Sequence, residues 1–349
     1  MEIHQKLKII KDRVIIIAEA GVNHNGNLEK AIKLIDVAAK AGADFVKFQT
    51  FSSKRLVTKQ AQKAAYQSEN TLLKESQFEM LRQLEIPLDW YPKLLQRCDE
   101  KGIDFLSTGF DIQSIDFLDQ LGQKFFKVPS GEITHKSLLR KIAQKKRPVI
   151  ISTGMATMPE INAAVEIFLQ EGLTKEEITI LHCTTAYPTP LNEVNLKAMK
   201  TIEHEFGIDV GYSDHTLGTS VAIAAVGLGA KLIEKHFTLD KNLSGPDHNA
   251  SLEPDELIYM VKSIREVTRA ISGTGKKTPT LAEIENKKII RKSLCYVKSF
   301  EKGNKLKEED FIALRPEGGI SPMQIDDLLG KSLKQPVNQF QEVKLNDFI

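Results

Sequence analysis

Short β-branched apolar runs alternate along this chain with longer stretches whose apolar residues recur at helical spacing. The first run, "VIIIAEAG", ends in Glu19 and Gly21. It leads into "NLEKAIKLIDVAAKAGA", apolar at i, i+3 and i+4 with Gly42 as a stop. That spacing predicts a strand followed by a helix. The unit recurs with "ADFVKFQT", "IDFLSTG", "KFFKVPSGE", "RPVIISTG", "ITILHCTT", "IDVGYSD" and "AKLIEKHF", mostly separated by helical patterns such as "MPEINAAVEIFLQEG". Eight βα units over about 270 residues predict an α/β fold, a closed parallel (β/α)8 TIM barrel. An open doubly wound sheet also alternates strands and helices. Its phosphate loop is normally glycine-rich, however, and no G-x-G-x-x-G or Walker sequence opens a helix here.

Two places break the rhythm. Between Phe51 and Gly102 lies "KQAQKAAYQSENTLLKESQFEMLRQLEI", too long for a simple crossover and therefore expected to be an excursion from the second strand that faces substrate. After the helical "PDELIYMVKSIREVTRAIS", the Gly-, Thr- and Lys-rich "GTGKKTPTLAEIENKK" reads as a linker, and beyond it come short apolar runs and Gly/Pro turns without a long helix. The expected organisation is a barrel over 1–272, a linker over 273–288 and a small, mostly β domain over 289–349. At that size the second domain is marginal alone and is expected to lean on something.

Composition narrows the function classes. Lys and Arg number 48 against 46 Asp and Glu, a net charge of +2, which argues against bulk electrostatic binding to nucleic acid or a membrane while leaving room for a small anion. Cys98, Cys183 and Cys295 are far apart and form no Cys-x-x-Cys pair, as fits a reducing compartment. The opening "MEIHQKLKIIKDR" alternates charge with short apolar pieces, unlike a signal peptide, and no stretch reaches the length of a membrane span. A cytoplasmic protein is expected.

Catalytic groups of such barrels sit where the strands end. Those ends carry Glu19, Lys47, Thr108, Lys127 with Ser130 and Glu132, Ser152, Thr184 with Tyr187, Ser213 with His215, and Glu234 with His236. Singly, each has an ordinary reading: Ser and Thr cap helices, and Lys snorkels to water. Together they converge. Period-2 alternation points Ser213 and His215 to one side of strand seven, and Glu234 and His236 to one side of strand eight. Two imidazoles on adjacent strand ends, with positions left for water or substrate, suit an exchangeable divalent metal better than a closed structural zinc. Lys47 and Lys127, with the hydroxyls of Thr108, Ser130, Ser152 and Ser213, form a cradle for a small multiply charged anion such as a phosphate ester bearing a carboxylate. A metal beside that cradle polarises a carbonyl, and carbon–carbon bond formation follows.

The motifs "AEAGVNHNG", "VKFQTF", "KVPSGE", "ISTGM", "HCTTAYPTP", "GYSDHT", "IEKHFTLDK" and "SGPDHNASLEP", in that order, resemble the sialic acid synthases, the phosphoenolpyruvate-dependent nonulosonate synthases. The terminal segment with "LRPEGGIS" resembles that family's antifreeze-like (SAF, β-clip) domain, so the resemblance covers nearly the whole chain. It implies condensation of phosphoenolpyruvate with the open-chain aldehyde of an N-acylated hexose, giving a nine-carbon 2-keto acid and phosphate. The hexose is either N-acetylmannosamine or 2,4-diacetamido-2,4,6-trideoxymannose. By carry-over, His215 and His236 hold a divalent ion, Mn2+ first and Mg2+ or Co2+ as alternatives. Lys47, Thr108, Lys127, Ser130, Ser152 and Ser213 hold phosphoenolpyruvate, and Glu132, Tyr187 and Asp247 contact the sugar. Glu132 or Glu19 takes the proton of the attacking water, with Glu234 orienting metal-bound water. The resemblance also implies a domain-swapped homodimer in which Arg315 reaches the partner's site to hold the N-acyl group.

Two departures stand out. Gly109 occupies the place of a proline in the family's usual "STPF", which is expected to loosen the turn after Thr108. Thr184, Thr185 and Ala186 stand where relatives often carry Glu or Asn, which puts polar contacts from that loop in doubt. Two other readings remain open on the residues alone: a Schiff-base aldolase using Lys127 or Lys47, and a non-catalytic carbohydrate-binding protein.

Overall fold

The computed structural model describes residues 13–71 and 75–349. The N-terminal segment read above, up to residue 12, and residues 72–74 of the excursion lie outside them. The chain divides into two units, one ending at Ser272 and the other Gly273–Ile349.

In the first unit β1 (Ile15–Gly21) is followed by α1 (Leu28–Ala41), which starts where the Asn27 side chain accepts from Lys30 N and stops at Gly42 in the left-handed region. After β2 (Phe45–Thr50) the excursion forms α2 (Ser53–Leu56), α3 (Ala65–Thr71) and α4 (Gln77–Leu84), the last opened by a Ser76–Glu79 capping box. The crossover helix α5 (Tyr91–Lys101) then leads to β3 (Asp104–Gly109). The alternation continues through α6 (Ile112–Gln120), β4 (Phe126–Val128), α7 (Lys136–Ala143), β5 (Val149–Ser152), α8 (Met158–Gln170), β6 (Ile178–Cys183), α9 (Ala198–Phe206), β7 (Asp209–Asp214), α10 (Ser220–Gly227), β8 (Leu232–His236) and α11 (Pro254–Ile271).

Among the described residues the eight strands run in the order β3-β2-β1-β8-β7-β6-β5-β4, parallel at every paired edge, with β3 packed beside β4 to close the barrel. Alternation sorts each strand's residues. Outward residues such as Ile16, Ala18, Val46, Phe48, Ile151 and Ile180 pack under the helices. Inward ones, Ile15, Ile17, Phe45, Leu106, Phe125, Ile150, Leu181 and Leu232, fill the barrel interior as a separate apolar layer. Gly211 belongs on this inward side because a Cβ there would run into the Leu232 carbonyl and the Leu181 side chain.

The second unit holds α12 (Leu281–Ile290), β9 (Ser293–Tyr296) and β10 (Phe311–Leu314), the two strands antiparallel, around a small core of Leu294, Tyr296, Leu306, Phe311, Leu328, Leu333 and Val343. Most of α12 lies inside the stretch read as a linker. Its Thr280–Glu283 capping box is a T-x-x-E signal that the Gly- and Lys-rich surroundings masked.

Candidate active site

Above the apolar layer the inward positions change character. Glu19 on β1, Lys47 on β2, Thr108 on β3, Lys127 on β4, Ser152 on β5, Cys183 on β6, Ser213 on β7 and Glu234 on β8 all face one cavity of about 360 Å³ at the strands' C-terminal ends. Each is one step further along the inward face of its strand, so the alternation that packs the interior also delivers the polar ring. Charge is balanced inside it. Lys47 Nζ lies 3.1 Å from Glu19 Oε2 and 3.3 Å from Glu234 Oε2, while Lys127 Nζ lies 3.6 Å from Glu234 Oε1. Lys47 donates to Thr108 Oγ1 at 3.1 Å, Lys127 to Ser152 Oγ at 2.6 Å, and Ser213 to Glu234 Oε1 at 3.0 Å.

The two carboxylates are driven apart. Burial, helped by the charge of Glu234 and opposed by Lys47, pushes Glu19 up to about 7. Burial acts on Glu234 as well, but Lys127 and Lys47 outweigh it and hold Glu234 well below the usual carboxylate range. Burial pulls Lys127 down, whereas Glu19 and Glu234 overcome the same effect at Lys47 and raise it.

The histidines stand beside this ring with their ring centroids 5.6 Å apart. His215 Nδ1 donates to the Thr184 carbonyl at 2.7 Å, which leaves the Nε2 lone pair for another partner. His236 Nδ1 is buried without a hydrogen-bond partner, 3.9 Å from Asp247 Oδ2. Burial depresses both rings, His215 to about 4 and His236 well below its ordinary value, so both are neutral, as a metal ligand must be. Among the described residues no group of three or more His, Cys, Asp or Glu side chains is arranged around a metal position. The pair therefore fits an ion that takes its remaining ligands from water or substrate, and not a closed structural site. The Thr184 contact is made by the backbone, so the departure in that loop leaves this tautomer-fixing bond intact.

Aromatic and acidic groups cover the histidines. The Tyr187 ring packs on His215 at 4.1 Å between centroids and meets His236 edge-on at 5.8 Å, and Tyr66 from α3 stacks on Tyr187 at 5.2 Å. Asp247 is buried in the loop after β8, where burial raises it to about 6. That loop is held from two sides: Asn70 Nδ2 donates to the Pro246 carbonyl, and Ser251 Oγ to the Asp247 carbonyl.

Of the residues singled out from sequence, Glu19, Lys47, Thr108, Lys127, Ser130, Ser152, Tyr187, Ser213, His215, Glu234, His236 and Asp247 line the cavity. Glu132 does not. It ends the 3-10 turn Ser130–Glu132 and accepts from His135 Nδ1 at 2.6 Å. Arg315 is exposed on the second unit. Gly109 ends β3 in register with Thr50, and a Cβ there would lie 2.7 Å from Ile115 Cδ1. Sequence reading missed Gln49, which donates to Glu19 Oε1 at 3.2 Å and shares the inward face of β2 with Lys47, a relationship that period-2 alternation contains. It also missed Cys183, Tyr66 and an apolar wall formed by Val22, Met80, Leu81, Leu84 and Phe110.

Residues 34–277 match the profile of the NeuB family. The N,N'-diacetyllegionaminic acid synthase of Campylobacter jejuni is 50% identical over 319 residues, covering 91% of this chain and 95% of the relative, and that of Legionella pneumophila is 45% identical over 338 residues, covering 95% and 94%. The crystal structure of an N-acetylneuraminic acid (sialic acid) synthetase from Leptospira borgpetersenii in complex with citrate is 33% identical, with a TM-score of 0.68 over 78% of this chain and 90% of that one. The profile match spans most of the barrel, and the Campylobacter and Legionella relatives align over nearly all of this chain: the chain belongs to the NeuB family.

Proposed function

We propose that the protein is a nonulosonic acid synthase that condenses phosphoenolpyruvate with 2,4-diacetamido-2,4,6-trideoxymannose, giving N,N'-diacetyllegionaminate and phosphate. The observation that carries the reading is the convergence of Lys47, Lys127, Glu19 and Glu234 on one buried ring beside two neutral histidines. The names borne by the Campylobacter and Legionella relatives favour the diacetamido sugar. The apolar wall of Val22, Met80, Leu81, Leu84 and Phe110 favours it independently, because a 6-deoxy sugar ends in a methyl group where N-acetylmannosamine carries a hydroxyl.

Lys47 and Lys127 bind the phosphate and carboxylate of phosphoenolpyruvate, with Thr108, Ser130, Ser152 and Ser213 supplying hydroxyls. With Glu19 protonated, the remaining charges of Lys47, Lys127 and Glu234 sum to one net positive charge, which favours an incoming anion. Tyr187 and Asp247 position the sugar's open-chain aldehyde beside the enol. His215 and His236 would hold a divalent ion, Mn2+ by preference, which as a Lewis acid polarises the aldehyde oxygen. The enol carbon then bonds to the aldehyde carbon, and positive character develops at the carbon bearing phosphate. Glu19, once deprotonated, takes a proton from water as that water adds there. The resulting tetrahedral centre collapses to the ketone by C–O cleavage, its hydroxyl proton leaving with the phosphate, and the proton taken by Glu19 passes to the former aldehyde oxygen, which becomes a hydroxyl. Glu234 balances both lysines throughout. The first unit is read as the catalytic barrel and the second as an antifreeze-like domain that lends Arg315 to the site of a second copy.

Incubating the purified protein with phosphoenolpyruvate, a divalent ion and each candidate sugar tests this reading. Phosphate release with the diacetamido sugar, at least about tenfold faster than with N-acetylmannosamine and abolished by chelation, is expected. Release with neither sugar overturns it. The burial that lowers Lys127 keeps the Schiff-base aldolase as the second reading, and borohydride trapping of a pyruvate adduct on Lys127 would establish that alternative.

A further inference from the structure

Behind the two histidines, on the outer faces of the same strands, sits an ion pair that the reaction does not use. Asp214 and Lys235 are register partners on β7 and β8, and both side chains are fully buried. Lys235 Nζ donates to Asp214 Oδ2 at 2.9 Å and also to the Thr216 carbonyl. Asp214 Oδ1 in turn accepts from Thr216 N at 2.9 Å and from Thr216 Oγ1 at 2.8 Å. One ammonium group thus ties down the residues on both sides of His215, and it belongs to the residue immediately before His236.

The pair is an expensive way to hold a barrel together. A buried ion pair must overcome the desolvation of both charges, and well-packed apolar residues of similar volume usually serve stability as well or better. What an apolar pair lacks is direction: it fixes neither strand register nor the twist of the backbone at the strand end. We infer that Asp214 and Lys235 are positioning residues, which lock the ends of β7 and β8 so that His215 and His236 present their ring nitrogens to one divalent ion. The inference rests on the metal reading above. It assigns to the outer faces of the strands the orienting role that partners behind metal ligands commonly fill, where replacement typically weakens metal affinity by about 10- to 100-fold.

The test is calorimetric titration of Mn2+ alone into the purified full chain, for the parent and for Asp214→Asn combined with Lys235→Met. The asparagine keeps an acceptor for Thr216, and the methionine keeps most of the lysine's volume. Phosphoenolpyruvate binding to the metal-free protein serves as the second readout, because the two cations that hold it, Lys47 and Lys127, stand on other strands, while Ser213 and Glu234 face the cavity from the opposite side of β7 and β8 to Asp214 and Lys235. Mn2+ affinity reduced about 10- to 100-fold, with phosphoenolpyruvate affinity within about twofold of the parent, is expected. Should the double variant not fold, Asp214→Asn alone is measured in the same way and the same split is expected. Mn2+ affinity within about twofold of the parent overturns the inference, as does a parallel loss of both ligands, which would mark a merely structural pair. A parent that binds no Mn2+ is a different result: it removes the metal reading itself, and this inference with it.

Discussion

Glu234 and Lys127 stand on strands four apart in either direction around the barrel, yet their charged groups lie 3.6 Å from each other. Lys47, two strands from Glu234 through β1, approaches the same carboxylate at 3.3 Å. One buried carboxylate therefore balances two lysines, one from the strand directly across the barrel and one a quarter-turn around it, and an anionic substrate must enter by sharing those lysines with it.

Changing either end of this arrangement has distinct consequences. Lys127→Met should lower kcat/KM for phosphoenolpyruvate by on the order of 100-fold or more, as removal of a preorganised charge from a water-poor site commonly does. Glu234→Gln takes the carboxylate away from buried Lys127 and leaves Lys47 with Glu19 alone, and should cost about 3 kcal/mol of stability as well as activity. Steady-state kinetics and thermal unfolding measure the two effects. Near-parental kinetics in Lys127→Met would remove the lysine from the anion site.

The raised pKa of Glu19 makes a pH prediction whose sign is fixed. A general base must be deprotonated, so kcat/KM should climb as pH rises through about 7 and level off above it. Glu19→Gln should reduce kcat by about 100-fold or more and erase that ascending limb. A variant that keeps the limb would transfer the base role to another group.

Selectivity for the sugar should reside in the excursion. Met80 and Leu84 of α4 line the cavity together with Val22 and Phe110. Leu84→Gln or Met80→Gln should lower kcat/KM for the 6-deoxy sugar by about tenfold and leave that for N-acetylmannosamine within about twofold, since a single methyl group in an apolar pocket accounts for roughly 10- to 200-fold. Equal losses on both sugars would mean that the wall supports the fold and does not read the substrate.

Arg315, next to Pro316 in a Gly-rich turn of the second unit, is proposed to act in the site of a second copy. Co-expressing an Arg315→Ala chain with a Lys127→Ala chain, each inactive alone, should restore up to about a quarter of parental activity, because about half of the dimers are mixed and each mixed dimer combines an intact barrel with an intact arginine in one of its two sites. Proven heterodimers without activity would place the arginine in its own subunit's site.

Much of this protein is legible in its sequence alone. Strand alternation is a local property with period two, so "VIIIAEAG" by itself places Ile15, Ile17 and Glu19 on one face, and the same count puts Lys47, Lys127, Ser213 and Glu234 on theirs. The barrel follows from the repetition of such runs. Where the alternation stops, so does the reading. Glu132 follows Pro129 in a 3-10 turn, where period two no longer assigns a direction, and its carboxylate goes to His135. Tyr66, Met80, Leu81 and Leu84 arrive from the excursion, whose length marks it as substrate-facing but whose helices carry no signal for which side chains enter the cavity. Distances across the barrel depend on closure, strand tilt and stagger, which are properties of all eight strands together. The residues of the ring can thus be named from the chain, but only the closed barrel decides that Lys127 and Lys47 meet on Glu234 and that the Thr184 carbonyl occupies Nδ1 of His215.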